Sequence, residues 1–263
     1  MPQRSSCPER VDGEHRMKIT INSDGRMGAR SVEESLRVLR KAVVGNAEAE
    51  LSLDELIAMR DHSPRNLDDY HLGRIAAWAL PRYATDRRFV NLTLLLDQGR
   101  EAQERWMRQP ERFDDLQKVL AKHRKYPALV VLGAPGGGKA TLLRRLDQDT
   151  SIDSLRSGSK RISVYAPLNG FPLEKEGHPL PSPRQWLERR WAERYPELDP
   201  LSEHLDQGRV LLLLDGLNEI PHRGDYGKRV ERWREFLRTV ISGTNNRAVF
   251  TCRHMEWMRT FSP

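Results

Sequence analysis

The residues best suited to chemistry form a glycine-rich loop that ends in a lysine, Gly133-Ala-Pro-Gly-Gly-Gly-Lys139. This is the G-x-x-x-x-G-K spacing of a phosphate-binding loop. Glycines let backbone N–H groups turn toward a polyphosphate that side chains would obstruct, and the lysine can reach the outer phosphates. The predicted nucleotide-binding residues here are Gly133, Pro135, Gly136, Gly137, Gly138, Lys139, Ala140 and Thr141.

The residue after the lysine departs from this pattern. That position normally carries Ser or Thr, whose hydroxyl ligates Mg²⁺, whereas this chain has Ala140. Thr141 follows about 100° further round a helix, so it can contact a phosphate but is not expected to replace the missing ligand. The sequence therefore predicts phosphate binding and leaves turnover open.

Acidic and basic residues end two later apolar runs. Asp215 ends the run Val210–Leu214, and open parallel sheets place their ligand sites at such strand ends. Asp215 is therefore the predicted Mg²⁺ residue, acting through water, and Glu219 is the candidate base that orients an attacking water. Arg253 ends the last run and could sense a terminal phosphate; the alternative is a solvated arginine that only ends a strand.

Four apolar segments with helical patterns between them must position these residues. The predicted strands are 129–132, 161–166, 209–215 and 248–252. Alternation of this kind predicts an α/β fold, with a parallel sheet flanked by helices. Between the second and third strands, residues 167–183 carry five prolines and are predicted to form a long surface connection.

The N-terminal part has a helical pattern of its own. Residues 1–30 are polar and are expected to be flexible, with a short strand at 17–21 as an exception. Capping boxes at Ser31-Val-Glu-Glu34 and Ser52-Leu-Asp-Glu55 predict two helices, and a third is expected from about Asp68 to Leu80. The predicted division is a helical module over residues 31–88 and an NTPase domain over residues 89–263, with a further strand at 89–96.

Composition limits the classes of protein. With 263 residues, 38% hydrophobic and 31% charged, the chain can form one large or two small domains. It has no apolar run near the roughly 20 residues of a membrane span, no signal-peptide core and only two cysteines. We therefore expect a cytoplasmic protein. The formal charge of +7 is spread among acidic residues, so nucleic acid is not an expected partner.

Taken together, these motifs resemble the NACHT family of signal-transducing P-loop NTPases, of the STAND class, and its bacterial members in particular. The loop Gly133-Ala-Pro-Gly-Gly-Gly-Lys139 has the family's internal proline, and Leu214-Asp-Gly-Leu-Asn-Glu219 has its small residue after the magnesium aspartate. Thr251-Cys-Arg253 is similar to its sensor arginine. Gly99-Arg100-Glu101 is a weaker match to an entry motif that contacts the base, which makes Arg100 a candidate nucleotide-binding residue.

The resemblance implies a switch that binds ATP or GTP with Mg²⁺ and self-associates or engages a protein partner when a signal is detected. Many such bacterial proteins serve in defence or signalling. It also implies the strand order 5-1-4-3-2, of which the sequence supplies four strands. Truncation of a longer domain is the favoured explanation, and a covering N-terminal segment is the alternative. Asn218 replaces a second acid that the family often carries.

Two hypotheses of different classes follow. The first is a nucleotide-binding switch with weak NTP hydrolysis. The second is a non-catalytic interaction scaffold derived from a decayed or truncated NTPase. A small-molecule kinase is a distant third, because neither an acceptor site nor a closing lid is readable in the sequence.

Overall fold

A computed structural model describes residues 19–22, 30–83, 94–95, 112–113, 115–173, 179–222 and 226–253. Arg100, most of residues 1–30 and most of the predicted strand at 89–96 lie outside these ranges. The elements of the N-terminal half are β1 (Ile19–Asn22), α1 (Val32–Gly45), β2 (Ala49–Ser52), α2 (Leu53–Asp61), α3 (Leu67–Ala79), β3 (Leu94–Leu95), β4 (Arg112–Phe113) and α4 (Leu116–Lys122). The elements that follow are β5 (Ala128–Gly133), α5 (Lys139–Ser157), β6 (Ile162–Pro167), α6 (Pro183–Arg194), α7 (Leu201–Asp206), β7 (Val210–Asp215), α8 (Tyr226–Phe236) and β8 (Arg247–Arg253).

The main sheet has four parallel strands in the order β5-β8-β7-β6. The predicted α/β fold is confirmed, and the order agrees with the one that the resemblance implies for these strands. Every residue from Val210 to Leu214 is buried, because helices cover both faces and a central strand then needs apolar residues at every position. Within the described residues, β5 pairs only with β8 and is an edge of the sheet.

Helices α1, α2 and α3 lie within residues 31–88, the range of the predicted helical module, and are called the helical module below. Both capping boxes are present: Glu34 N–H donates to the Ser31 hydroxyl at 3.2 Å, and Glu55 N–H donates to the Ser52 hydroxyl at 3.2 Å. Helix α3 ends at Ala79, two residues before Pro81, whose ring cannot continue a helix. The short strand β1 pairs in parallel with β2 and overlaps the strand predicted at 17–21.

The helical module packs directly on α5, the helix that follows the glycine-rich loop. Leu155 of α5 belongs to the same apolar cluster as the cores of α1, α2 and α3. The Arg156 guanidinium donates to the Val43 carbonyl at 2.9 Å and to the Asn46 side-chain oxygen at 2.7 Å. The domain boundary near residue 88 stays a prediction, and these contacts show that the helices before it pack on α5 after it.

A buried polar cluster, here called the Asp147 cluster, lies at the same junction and consists of Asp147, Arg74 and Ser163. The Asp147 side chain on α5 is 5% exposed and pairs with Arg74 of α3, whose Nε donates to it at 2.7 Å. The Ser163 hydroxyl on β6 donates to the other carboxylate oxygen at 2.6 Å. Beside it, the Tyr70 hydroxyl of α3 donates to the Ser163 carbonyl at 2.5 Å.

The predicted surface connection over residues 167–183 is wrong at its start. Pro167 ends β6, and Leu168 opens a short 3-10 turn. The Leu168 side chain is 0% exposed and Phe171 is 2% exposed, and Phe171 meets Trp186 edge to face. Prolines mark irregular backbone, but Leu168 and Phe171 bury their side chains in the core.

Candidate functional site

The loop between β5 and α5 forms a backbone cradle that depends on its glycines. Gly136 has φ +71° and Gly138 has φ +72°, conformations that residues with a side chain rarely adopt. Gly137 is constrained by space instead, because a Cβ there would lie 3.0 Å from the Ala134 carbonyl oxygen. The local sequence is therefore required by the loop's shape, and the shape fits a backbone that wraps an anion.

The first turn of α5 opens onto this cradle. Its cap residue is Gly138, which has no side chain to accept hydrogen bonds from the free N–H groups of the turn. Such an end carries partial positive charge and suits a phosphate. Ala140 and Thr141 occupy this turn and are half-buried.

Lys139 lies folded over the loop. Its ammonium donates to the Gly133 carbonyl at 3.0 Å and to the Ala134 carbonyl at 2.8 Å. Both acceptors are neutral, so these bonds leave the positive charge of the lysine uncompensated by a carboxylate. The ammonium group of Lys139 therefore lies against the loop that is predicted to bind phosphate.

Asp215 is held by two hydroxyl groups, and we call Asp215, Thr251 and Tyr165 the Asp215 cluster. The Thr251 hydroxyl donates to Oδ1 at 2.5 Å, and the Tyr165 hydroxyl donates to Oδ2 at 2.8 Å. Thr251 also accepts a hydrogen bond from the Gly216 N–H at 2.8 Å. Burial, and then the negative charge of Asp215, raises the pKa of the Tyr165 phenol, so the phenol stays protonated and donates.

The charge of Asp215 has no cationic partner within the part of the chain that the structure describes. Among the same residues, no group of three or more His, Cys, Asp or Glu side chains could hold a metal ion. A single carboxylate with two neutral donors suits Mg²⁺, which keeps several waters and takes its remaining ligands from substrate phosphates. The donor set therefore fits a metal that arrives with a nucleotide.

Glu219 and Arg253 meet at the same end of the sheet. The Arg253 guanidinium lies 3.6 Å from Glu219 Oε1, and the two side chains are 42% and 46% exposed. The Asn218 side-chain oxygen accepts from the Arg253 N–H at 3.1 Å. Asn218, which departs from the family pattern, therefore connects the turn after β7 to the end of β8.

The strand register places the predicted site residues together at the carboxyl ends of the strands. Gly133 pairs with Arg253, and Pro167 pairs with Asp215, so the strands end together. This arrangement places the loop, Asp215, Glu219 and Arg253 at the carboxyl ends of the sheet. The roles given to these residues stay predictions, and Arg100 lies outside the described residues.

Tyr165, Thr251 and Arg144 lie beside the candidate site but were not predicted from the sequence. Arg144 lies on α5 with its guanidinium 5.5 Å from the centre of the Tyr165 ring. One signal was present, because Ser163 and Tyr165 are polar residues two apart in a buried strand and therefore share a face. Their partners on α5 and β7 could not be identified without the fold.

Two comparisons with known proteins bear on this geometry. A family model described as the NACHT domain matches residues 128–261, more than half of the chain. The match begins with β5 and takes in the glycine-rich loop, Asp215, Glu219 and Arg253. A comparison with curated protein sequences finds no match. On the strength of the family match and the parallel sheet with its loop, the chain belongs to the NACHT-domain family of P-loop NTPases.

Proposed function

We propose that the chain is a nucleotide-dependent switch module of a cytoplasmic, bacterial-type signalling or defence protein. It binds ATP or GTP with Mg²⁺, and a second copy or a protein partner reads the bound state. One observation carries the proposal. The glycine cradle, Lys139 and Asp215 lie together at the carboxyl ends of the strands, and Asp215 has no cationic partner among the described residues. Within the described residues, no helix is long and apolar enough to cross a membrane.

The chain's own residues divide the work of binding. Backbone N–H groups of the loop and the first turn of α5 hold the phosphates, and Lys139 exchanges its bonds to Gly133 and Ala134 for the outer phosphates. Asp215 is the residue that would hold Mg²⁺, through water. The metal neutralises phosphate charge and orients the phosphates when it is bound.

Hydrolysis is the weaker part of the proposal. Glu219 is the residue proposed to orient water, and Arg253 is proposed to contact the terminal phosphate. Their contact at 3.6 Å occupies each charge with the other, so nucleotide binding must separate them before either can act. Ala140 supplies no hydroxyl for the metal, which is why we expect slow turnover.

Nucleotide affinity of Lys139→Ala tests the proposal. We expect wild type to bind ATP or GTP saturably and the variant to lose at least about tenfold in affinity, since a bond to a charged group is worth about 1.5–3 kcal/mol. Lys160→Ala is the matched control, because Lys160 is exposed just beyond the other end of α5. Equal affinities in wild type and Lys139→Ala would overturn the proposal.

Restoring the missing hydroxyl tests the role of position 140. Ala140→Ser adds only an oxygen, so wild type is its own matched control. We expect about tenfold tighter binding of the magnesium complex and faster magnesium-dependent hydrolysis. An unchanged rate would mean that water or Thr141 already fills the position, or that turnover is absent for another reason.

The second candidate is a non-catalytic scaffold, and one observation favours it. The N-terminal helices pack on α5 through an apolar cluster and the Asp147 cluster without any nucleotide. A scaffold would show no hydrolysis above background and would bind its partner equally with and without nucleotide. Partner binding or self-association that changes with ATP or GTP would reject the scaffold.

A further inference from the structure

Arg144 contacts both the end of the N-terminal helices and the end of the sheet where the proposed nucleotide site lies. Its guanidinium lies 5.0 Å from the centre of the Tyr83 ring and 5.5 Å from that of Tyr165. Tyr83 belongs to the 3-10 turn Pro81–Tyr83 that follows α3. Trp78 of α3 stacks on Tyr83 with ring centres 5.3 Å apart and an interplanar angle of 19°. A cation between two aromatic faces is attracted to both.

The same stack reaches the proposed metal residue. Tyr165 contacts Arg144 through its ring and donates its hydroxyl to Asp215 Oδ2 at 2.8 Å. Three parts of the chain therefore meet in sequence: the end of the helical module, α5, and the ends of β6 and β7. None of these contacts is needed to form the phosphate cradle itself.

We propose that Tyr165 is a positioning residue for Asp215, and that Arg144 and Tyr83 hold Tyr165 in place, so that the N-terminal helices complete the metal side of the nucleotide site. This inference rests on the proposed nucleotide function. It adds a contribution from outside residues 128–261, the segment that matches the family.

The physical basis is the freedom of a carboxylate at the end of a strand. Thr251 holds one oxygen of Asp215, so without Tyr165 a single hydrogen bond would oppose rotation of the carboxylate about its Cβ–Cγ bond. The Tyr165 hydroxyl fixes the second oxygen and stops that rotation. A ligand group held in one orientation binds more tightly, because less freedom is lost on binding.

Tyrosine is suited to this task because of the charges around it. The Tyr165 hydroxyl lies 2.8 Å from Asp215 Oδ2, and its O–H donates to the carboxylate. Arg144 faces the ring, where the cation is attracted by the π electrons and restrains the ring. The restraint on Arg144 comes in turn from Tyr83.

The first test compares nucleotide affinity with Mg²⁺ and with EDTA, using ATP and GTP as probes. Tyr165→Phe removes the hydroxyl, with its interactions with Asp215 and Arg144, and keeps the aromatic ring facing Arg144. We expect about tenfold weaker binding in Mg²⁺, in line with loss of one hydrogen bond to a charged group, and unchanged binding in EDTA. Tyr70→Phe is the control, since it removes a buried phenol that donates to Ser163 of the same strand.

The outcomes separate this inference from the proposed function. If wild type binds neither nucleotide in either condition, the proposed function fails and the inference with it. If wild type binds and Tyr165→Phe weakens binding equally in Mg²⁺ and EDTA, or in neither, only the positioning role fails. A loss confined to Mg²⁺ and absent from Tyr70→Phe supports it.

The second test addresses the stack. Arg144→Met and Tyr83→Leu should each weaken Mg²⁺-dependent binding about threefold, because each loosens Tyr165 without removing its hydroxyl. Arg190→Met is the matched control: Arg190 lies 5.1 Å from the Trp186 ring on α6, which packs on the opposite face of the sheet from α5. Full Mg²⁺-dependent affinity in Tyr83→Leu would overturn the contribution of the N-terminal helices.

Discussion

Two aspartates on the same side of the sheet are held in similar ways but differ in charge compensation. Asp147 accepts from the Ser163 hydroxyl and Asp215 accepts from the Tyr165 hydroxyl, and Ser163 and Tyr165 lie two residues apart on one face of β6. Asp147 also has the cation of Arg74 and is 5% exposed. Where Asp147 has the Arg74 cation as its second partner, Asp215 has a second hydroxyl, that of Thr251.

The presence or absence of a paired cation suggests different roles: Asp147 stabilises the fold, and Asp215 is the candidate ligand residue. Charges taken out of water are tolerated only when they are paired, so the Arg74–Asp147 pair joins α3 to α5. Asp215 is half-buried and has no cationic partner among the described residues, in line with the metal role proposed for it. The Asp147 cluster should therefore control stability, and the Asp215 cluster should control ligand binding.

The largest expected effect is on stability at Asp147. Asp147→Ala leaves the Arg74 guanidinium and the Ser163 hydroxyl without their acceptor, so we expect a loss of about 3 kcal/mol in the free energy of unfolding. This is the lower end of the usual range because the Arg74 side chain is 24% exposed. Urea unfolding measures it, with Asp153→Ala on the exposed side of the same helix as the control. Equal losses in the two variants would contradict a structural role.

The next effect concerns acid stability beside the Asp147 cluster. His71 is 1% exposed, and burial lowers its pKa to about 4, although Asp147 and Asp68 oppose the shift. The unfolded chain takes up a proton near pH 6.5 and the folded chain does so only near pH 4, so stability falls as pH drops through this window. The loss between pH 7.5 and pH 5 should be about 2 kcal/mol.

His71→Leu removes the titrating group and tests this cause. The variant should lose less free energy of unfolding between pH 7.5 and pH 5 than wild type does, and the difference should be about 2 kcal/mol. Urea unfolding at the two pH values measures it. The same pH dependence in both proteins would show that another group is responsible.

At Asp215 the expected effect moves from stability to binding. Asp215→Asn keeps the shape and removes the charge, so Mg²⁺-dependent nucleotide affinity should fall about tenfold while the free energy of unfolding changes by less than about 1 kcal/mol. Asp147→Asn should do the reverse at temperatures where it stays folded. Titrations with ATP and GTP in Mg²⁺ and in EDTA measure the first effect. Equal changes of the two variants in unfolding free energy and in nucleotide affinity would contradict the difference between the two aspartates.

The smallest expected effects are on the hydroxyl donors. Thr251→Val leaves the buried Gly216 N–H without its acceptor and should cost about 1–2 kcal/mol of unfolding free energy. Ser163→Ala should cost about 1 kcal/mol or less, since Asp147 keeps Arg74. Thermal unfolding of the two variants side by side measures the difference. A larger cost for Ser163→Ala would mean that the arginine does not compensate Asp147 by itself.

Local patterns predicted most of the fold and supplied the candidate site residues, whose roles stay predictions. The apolar run before Asp215 predicted a buried strand with an acid at its end, and the Ser31 and Ser52 boxes predicted helix starts, because both signals act over a few residues. The contacts of Asp215 with Tyr165 and of Asp147 with Arg74 join residues 50 and 73 positions apart. Such pairs are set by which helix packs on which face, and periodicity carries no information about that.

The contact between α3 and α5 also has a consequence for synthesis of the chain. Tyr70 and Arg74 emerge from the ribosome well before Ser163 and Asp147, their partners 93 and 73 residues later. At about 5–20 residues per second, translation takes roughly 4–15 s to cover the shorter of these distances. During that interval the face of the N-terminal helices that packs on α5 in the folded chain is exposed, and chaperones have access to it.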